Sequence, residues 1–327
     1  MNMGIIAGSR LRSAVVSSKF IIEVDSTKSG VTNNNRFQFT GALGDYDVVA
    51  KQGGSVVQTF TNLSNQQNIT FSNGPGVYVL EVTAKATNGF TGMRFNDSGD
   101  KLKLSKVNQW GVFNDNRSAI FRGCSNLNQI GVDNNWLNSI TDGNSIFRDC
   151  GITSLPNTLT LNNLINGGIL FFNNSLTSLP SGMTLDNLEG ANSIFQGNSL
   201  TSLPSGMTLN NLENSFGLFA DNSLTSLPSG MTLNNSENGS RTFRNNPLTS
   251  LPSGMTLENL NNGYQIFLGA TLSTARYSQL LEDMQNLNSN SNVSFNGGNS
   301  KYNTTGETAR DLLTTNQSWS FRDGGLE

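Results

Sequence analysis

Few residues in this chain could do chemistry, and their types narrow what that chemistry would be. It contains no histidine, so the commonest general base and the commonest metal ligand are both missing. Its two cysteines, Cys124 and Cys150, would suit a disulfide, a metal pair or a nucleophile. The plainer reading is two buried thiols that pack as small apolar groups. Two cysteines without histidine make a poor zinc set. Glu189, Glu213 and Glu237 recur at a 24-residue step, which lines them up for a cation. Like charges so close repel one another, and a solvated row is the plainer outcome. Asp97, Asp100 and Asp115 lack calcium-loop spacing. No phosphate-cradling glycine loop and no nucleophile elbow occurs. The most regular polar feature is a hydroxyl array: Thr153, Thr177, Thr201, Thr225 and Thr249 beside Ser154, Ser178, Ser202, Ser226 and Ser250. Such an array could contact a glycan or another polymer, or order ice, or simply be exposed chain that Ser and Thr suit.

The element that must position this array is a repeat. Leu-Pro recurs at residues 155, 179, 203, 227 and 251, and Phe at 121, 147, 171, 195, 219, 243 and 267. The step is 26 residues once and 24 thereafter. A fixed period predicts one supersecondary unit per repeat, stacked so that neighbours bury each other's apolar face. Phe, Leu and Met form the inward set. Asn174, Asn198, Asn222 and Asn246 hold one position, which Cys124 and Cys150 occupy in the two preceding repeats. Asn there can bond backbone at a turn. Proline after the second Leu forbids a ladder donor, so any strand must be short or end there. Of the two possible strand registers, Leu-Thr-Ser-Leu is preferred over the stretch before Asn/Cys.

Composition bounds the rest. The 327 residues are 35% apolar and only 13% charged, with 19 Phe. Charge is about half the usual share, yet the Leu and Phe content predicts a folded chain with a polar, nearly neutral exterior. Net charge is −3. Residues 1–120 hold twelve Lys/Arg and eight Asp/Glu, whereas residues 151–270 hold two and six. A nucleic-acid partner needs a basic stripe, and none is visible. No stretch reaches the roughly 18 apolar residues of a membrane span, and the N-terminus is expected to carry no Sec signal, its apolar run being too short.

Ahead of the repeats, alternating segments at 20–24, 36–39, 46–50, 56–60, 68–71 and 77–84, parted by Gly and Asn clusters, predict a small antiparallel sandwich. Beyond residue 275, apolar stripes predict helices at 277–287 and 306–315, with strands at 293–295 and 319–321. The expected domains are an N-terminal arm (1–18), a sandwich (19–100), a repeat array (101–272) and a C-terminal cap (273–327).

Phe-Arg-Gly-Cys-Ser-Asn-Leu-Asn-Gln-Ile (121–130) and the Leu-Thr-Ser-Leu-Pro units resemble bacterial leucine-rich repeats of the BspA-like surface-protein type, preceded by an immunoglobulin-like or PKD-like domain. That resemblance implies a mainly β chain: an antiparallel β-sandwich, a leucine-rich-repeat solenoid and a small α/β C-terminal cap. PKD-like domains often carry an acidic Trp-Gly-Asp-Gly-type turn, where this chain has Lys51-Gln52-Gly53-Gly54, which removes the support for a metal there. The segments 295–302 and 319–325 resemble caps in repeat proteins of Bacteroidota and their phages. The start Gly-Ile-Ile-Ala-Gly-Ser-Arg (4–10) resembles virion and tail-fibre proteins of those phages.

These readings together predict a non-enzymatic virion protein: a tail fibre, head fibre or decoration protein assembled in the host cytoplasm. Its binding face would be the ten-residue Thr/Ser row. Expected partners are other virion proteins through the N-terminal region and a host-surface glycan or protein, with no cofactor, no metal, no nucleic acid and no membrane insertion. A homo-oligomer would suit a virion fibre. The alternatives are a bacterial cell-surface adhesin and, behind it, a polysaccharide-degrading enzyme, which would need a paired carboxylate site.

Overall fold

Alternation of apolar and polar residues builds the first part of the chain. The computed structural model describes residues 19–327; the expected arm at 1–18 lies outside the described residues. Strands β1 (Lys19–Asp25), β3 (Asp45–Gln52), β4 (Ser55–Ser64), β6 (Val77–Ala84) and β7 (Leu104–Gln109) form one sheet in the order β4-β3-β6-β1-β7. Every neighbouring pair is antiparallel. Strand side chains alternate between faces, so Phe20, Ile22, Val24, Tyr46, Val48, Tyr78, Leu80 and Val82 are buried together. The opposite face carries charge: Glu81 sits between Lys19 (2.8 Å) and Lys51. Gly53 and Gly54, both at positive φ (57° and 84°), make the tight turn between β3 and β4. All six strand segments expected before residue 85 are present. Instead of a second full sheet, a two-stranded ribbon of β2 (Arg36–Gln38) and β5 (Asn68–Thr70) covers the apolar face. Phe71 stacks on Tyr78 at 3.8 Å, and Phe39 lies 5.2 Å from Tyr46.

A buried ion pair fastens the loop before β2. Lys103 and Asp100 are both fully buried, with Nζ 3.7 Å from Oδ2. Lys103 Nζ donates to the carbonyls of Thr32, Asn33 and Arg36, while the Asp100 carboxylate accepts from the Thr32 and Gln38 amides. Every polar atom taken out of water thus finds a partner, which a buried charge requires. β7 lies beyond residue 100, yet it belongs to the sheet through β1.

The expectation of a leucine-rich-repeat solenoid is corrected here. Between β7 and residue 273 the described residues contain no β-strand; the only helix there is the short α1 (Asn135–Ser139). The preferred strand register, Leu-Thr-Ser-Leu in four units and Ile-Thr-Ser-Leu in the first, is not a strand in any of the five. The parallel contacts are isolated single-residue bridges elsewhere, such as Asn166 to Gly190 and Gly190 to Asn214. Two local facts forbid regular strands. Proline removes a donor from each Leu-Pro. Residues at positive φ recur within the units, as at Asp149, Asn173, Asp221 and Asn245 (53–57°), and an extended run cannot pass through that conformation.

What joins these 24-residue segments is side-chain stacking and turn hydrogen bonds. The rings of Phe121, Phe147, Phe171, Phe195, Phe219, Phe243 and Phe267 stack in register, with centroids 5.4–6.0 Å apart and planes within 11°. Trp110, Phe113 and Trp136 continue this column toward the sheet: Trp110 lies 5.8 Å from Phe121 and 4.8 Å from Trp136. At the other end Phe295 meets Phe267 edge-on at 6.1 Å. Phe295 belongs to β8 (Ser294–Asn296), which pairs in parallel with β9 (Ser320–Arg322); α2 (Thr274–Leu287) and α3 (Thr304–Gln317) complete this C-terminal unit. Ser273 and Asn303 cap the two helices by accepting from backbone amides of the first turn.

Candidate functional site

The repeated asparagine explains how successive segments hold one another. Asn222 Nδ2 donates to the carbonyls of Phe195 (2.9 Å) and Phe219 (3.1 Å), and Oδ1 accepts from the Leu200 amide (3.0 Å). Asn198 and Asn246 repeat the arrangement with their own Phe pairs. Asn174 spans consecutive segments in the same way, through the Phe147 carbonyl and the Ile152 amide. Each amide therefore ties at least three backbone groups from two neighbouring segments. Cys150 does part of the same work: its Sγ donates to the Phe121 carbonyl at 3.1 Å. Cys124 and Cys150 are free and buried. Burial pushes both thiols well above their ordinary range, and their mutual proximity raises Cys124 further. Neither is poised as a thiolate nucleophile.

The Thr/Ser row lies on the outside. Thr153, Ser154, Thr177, Ser178, Thr201, Ser202, Thr225, Ser226, Thr249 and Ser250 are all exposed. They flank leucines that are buried or nearly so, and adjacent amides are bonded between segments: Ser199 N to Leu176 O and Ser223 N to Leu200 O, both at 2.9 Å. Pro247 has no amide to give at the equivalent place, and there the chain bonds Thr249 N to Thr225 O instead. The ten hydroxyls are thus displayed on anchored backbone, without charge between them.

The glutamates also form a row. Glu213 N donates to Glu189 O, and Glu237 N to Glu213 O. Their carboxylates edge a shallow groove with Asn211, Asn235 and Asn259. Each of those asparagines donates to the carbonyl 25 residues earlier, which leaves an acceptor-rich surface. Among the described residues no group of three or more His, Cys, Asp or Glu is arranged to hold a metal ion. Asp97 serves a surface pair with Lys101, and Asp115 an ion pair with Arg117. In the C-terminal unit the buried Tyr277 donates to Asp323, which also holds Arg310; burial and that carboxylate raise the phenol far above its usual range.

Sequence reasoning missed one depression. It begins beside Trp136 at the junction with the sheet and runs past Asp142 over Asn166, Gly168, Gly190 and Asn192. The available signal was the glycine pair, which interrupts the period at positions where later segments carry larger side chains. No protein-family model matches this chain, and the curated proteins compared with it contain no match.

Proposed function

We propose that this chain is a non-enzymatic structural protein of a phage virion, a tail fibre, head fibre or decoration protein that presents an uncharged polar surface to a host or a neighbouring subunit. The observation that carries the reading is the exposed Thr/Ser row, ten hydroxyl side chains repeated on a backbone that stacked phenylalanines and bonded asparagines hold in place. A repeated surface of this kind offers many weak contacts at a fixed spacing, which suits multivalent binding. It offers no positioned nucleophile or acid–base pair. The virion assignment draws its support from the likeness of residues 4–10 to virion proteins.

The deciding experiment is mass spectrometry of gradient-purified virions, followed by immunogold labelling with antibody to this chain. The protein should co-sediment with the major virion proteins at a constant ratio and label one part of the particle. Its absence from particles and presence on bacterial cells would replace the virion reading with the adhesin reading. Turnover of host polysaccharide, abolished by one carboxylate substitution, would overturn the non-enzymatic part.

A further inference from the structure

We propose that the depression at the start of the repeat segment is a groove for a neutral glycan chain. This rests on the reading of the protein as a surface-contact molecule and adds to it a second face and a ligand class. Two hollows share Asp142. One, of about 310 Å³, lies between residues 114–117 and 136–142 and has Trp136 at its floor. The other, of about 360 Å³, runs on across successive segments over Gly168 and Gly190.

Local sequence sets the groove's depth and its length. Gly168 takes φ +49°, with its backbone close against Asn144. Two and four segments further on, the equivalent residues are Phe216 and Tyr264, and the Arg241 guanidinium lies over both rings, at 5.7 and 5.9 Å. The hollow runs over Gly168 and Asn192 and stops short of Phe216, the next equivalent residue. Between the Trp136 and Phe216 ends the segments advance by three ring spacings of 5.4, 5.9 and 5.7 Å, enough for a short oligosaccharide.

The lining chemistry selects the ligand. Asn114, Asn116, Asn166 and Asn192 have side-chain amides with no protein partner among the described residues, unlike the committed asparagines of the ladder. Each amide offers both donors and an acceptor, the pattern that sugar hydroxyls match. Arg117 is neutralised by Asp115, its Nε 2.9 Å from Oδ1, so among the described residues no free cation lines the groove to attract a phosphate or sulfate. Half-buried Ile140 in one hollow and Ile169 in the other supply apolar surface for the C–H faces of a sugar ring.

The test is calorimetric titration of the purified full-length protein with maltotetraose, cellotetraose and chitotetraose, with a heparin tetrasaccharide as the anionic control. At least one neutral tetrasaccharide should bind at one-to-one stoichiometry and the heparin fragment should not. Gly190→Phe, at a position with ordinary backbone geometry, should fill the channel and weaken binding at least tenfold, about 1.4 kcal/mol. Asn192→Ala, which places no bulk in the groove, should weaken it by a smaller factor, and Thr201→Ala on the other face should leave it unchanged. Failure of all three neutral tetrasaccharides to bind, binding of heparin alone, or unchanged affinity in both groove variants would overturn the proposal. Presence in virions is measured separately, so the groove can fail while the virion reading stands, and the reverse.

Discussion

Asn222 shows what one residue contributes when it is repeated. Its amide makes four bonds to backbone, to the Phe195, Phe219 and Ala220 carbonyls and from the Leu200 amide. Asn222→Ala would leave the buried Leu200 amide without its partner, while the Phe195, Phe219 and Ala220 carbonyls each lose one donor and keep another, from Asn198, Asn246 and the Gly197 amide. A buried group left unsatisfied costs about 1–3 kcal/mol, so a loss of about that size is expected in denaturant unfolding. Asn222→Cys should cost less, because Cys150 shows that a thiol can reach the same kind of carbonyl. Equal stability of wild type and Asn222→Ala would show that the ladder is decorative. The two thiols support a second prediction. Both are buried and held protonated by that burial, so a thiol-specific disulfide reagent should leave them unmodified in the native protein and titrate both after denaturation. Rapid reaction of either thiol in the native state would contradict their place in the core.

Among the elements, the five-stranded sheet and the phenylalanine column answer to different variables. On the sheet's polar face, hydrogen bonds from Lys19 and then Lys51 hold the Glu81 carboxyl below its ordinary value of 4.5. A carboxyl depressed on folding adds stability above its unfolded value, and that stability is lost as pH falls through the folded value. Thermal unfolding should therefore show a loss below about pH 4.5 that Glu81→Gln reduces; an identical acid profile in the variant would place the acid sensitivity elsewhere. The column responds to volume. Phe195 is fully buried between Phe171 and Phe219, and Phe195→Ala should cost about 3–5 kcal/mol, with Phe195→Leu costing less. Much of this was legible in the chain: alternation gave the strands to within a few residues, and the Phe and Asn periods marked residues that do touch across segments. The strand register was not. Leu-Thr-Ser-Leu has the alternation of a strand, but the following proline and the left-handed residues at Asp149, Asn173, Asp221 and Asn245 leave only turns and single bridges. The groove was hidden for a related reason. Its walls come from residues 114–117, 136–142 and the glycines at 168 and 190, which meet only after folding.

Across the whole molecule, the stacked segments share one core with the units at both ends, and that arrangement makes the ends indispensable. On the sheet side, Asn128 N bonds Ser105 O, Val107 N bonds Gln129 O, and Trp110 packs against Phe121. On the other side, Gly263 N bonds Ser294 O, Phe267 N bonds Asn296 O, and Asn288 Nδ2 donates to the Leu257 and Leu260 carbonyls. Residues 274–327 thus supply to the last segment the contacts that every other segment receives from its successor. Cutting the chain after Ser273 would strip these partners at once and uncover Phe267, Leu260 and Ile266, all fully buried in the intact protein. An exposed apolar end with free backbone donors is a site for self-association. The truncated chain should therefore be less soluble than the intact protein and run as aggregates or higher oligomers by light scattering after size exclusion. A monomeric, monodisperse truncation of unchanged melting temperature would show that each segment is stable without a successor, and the shared core would have to be replaced by independent units.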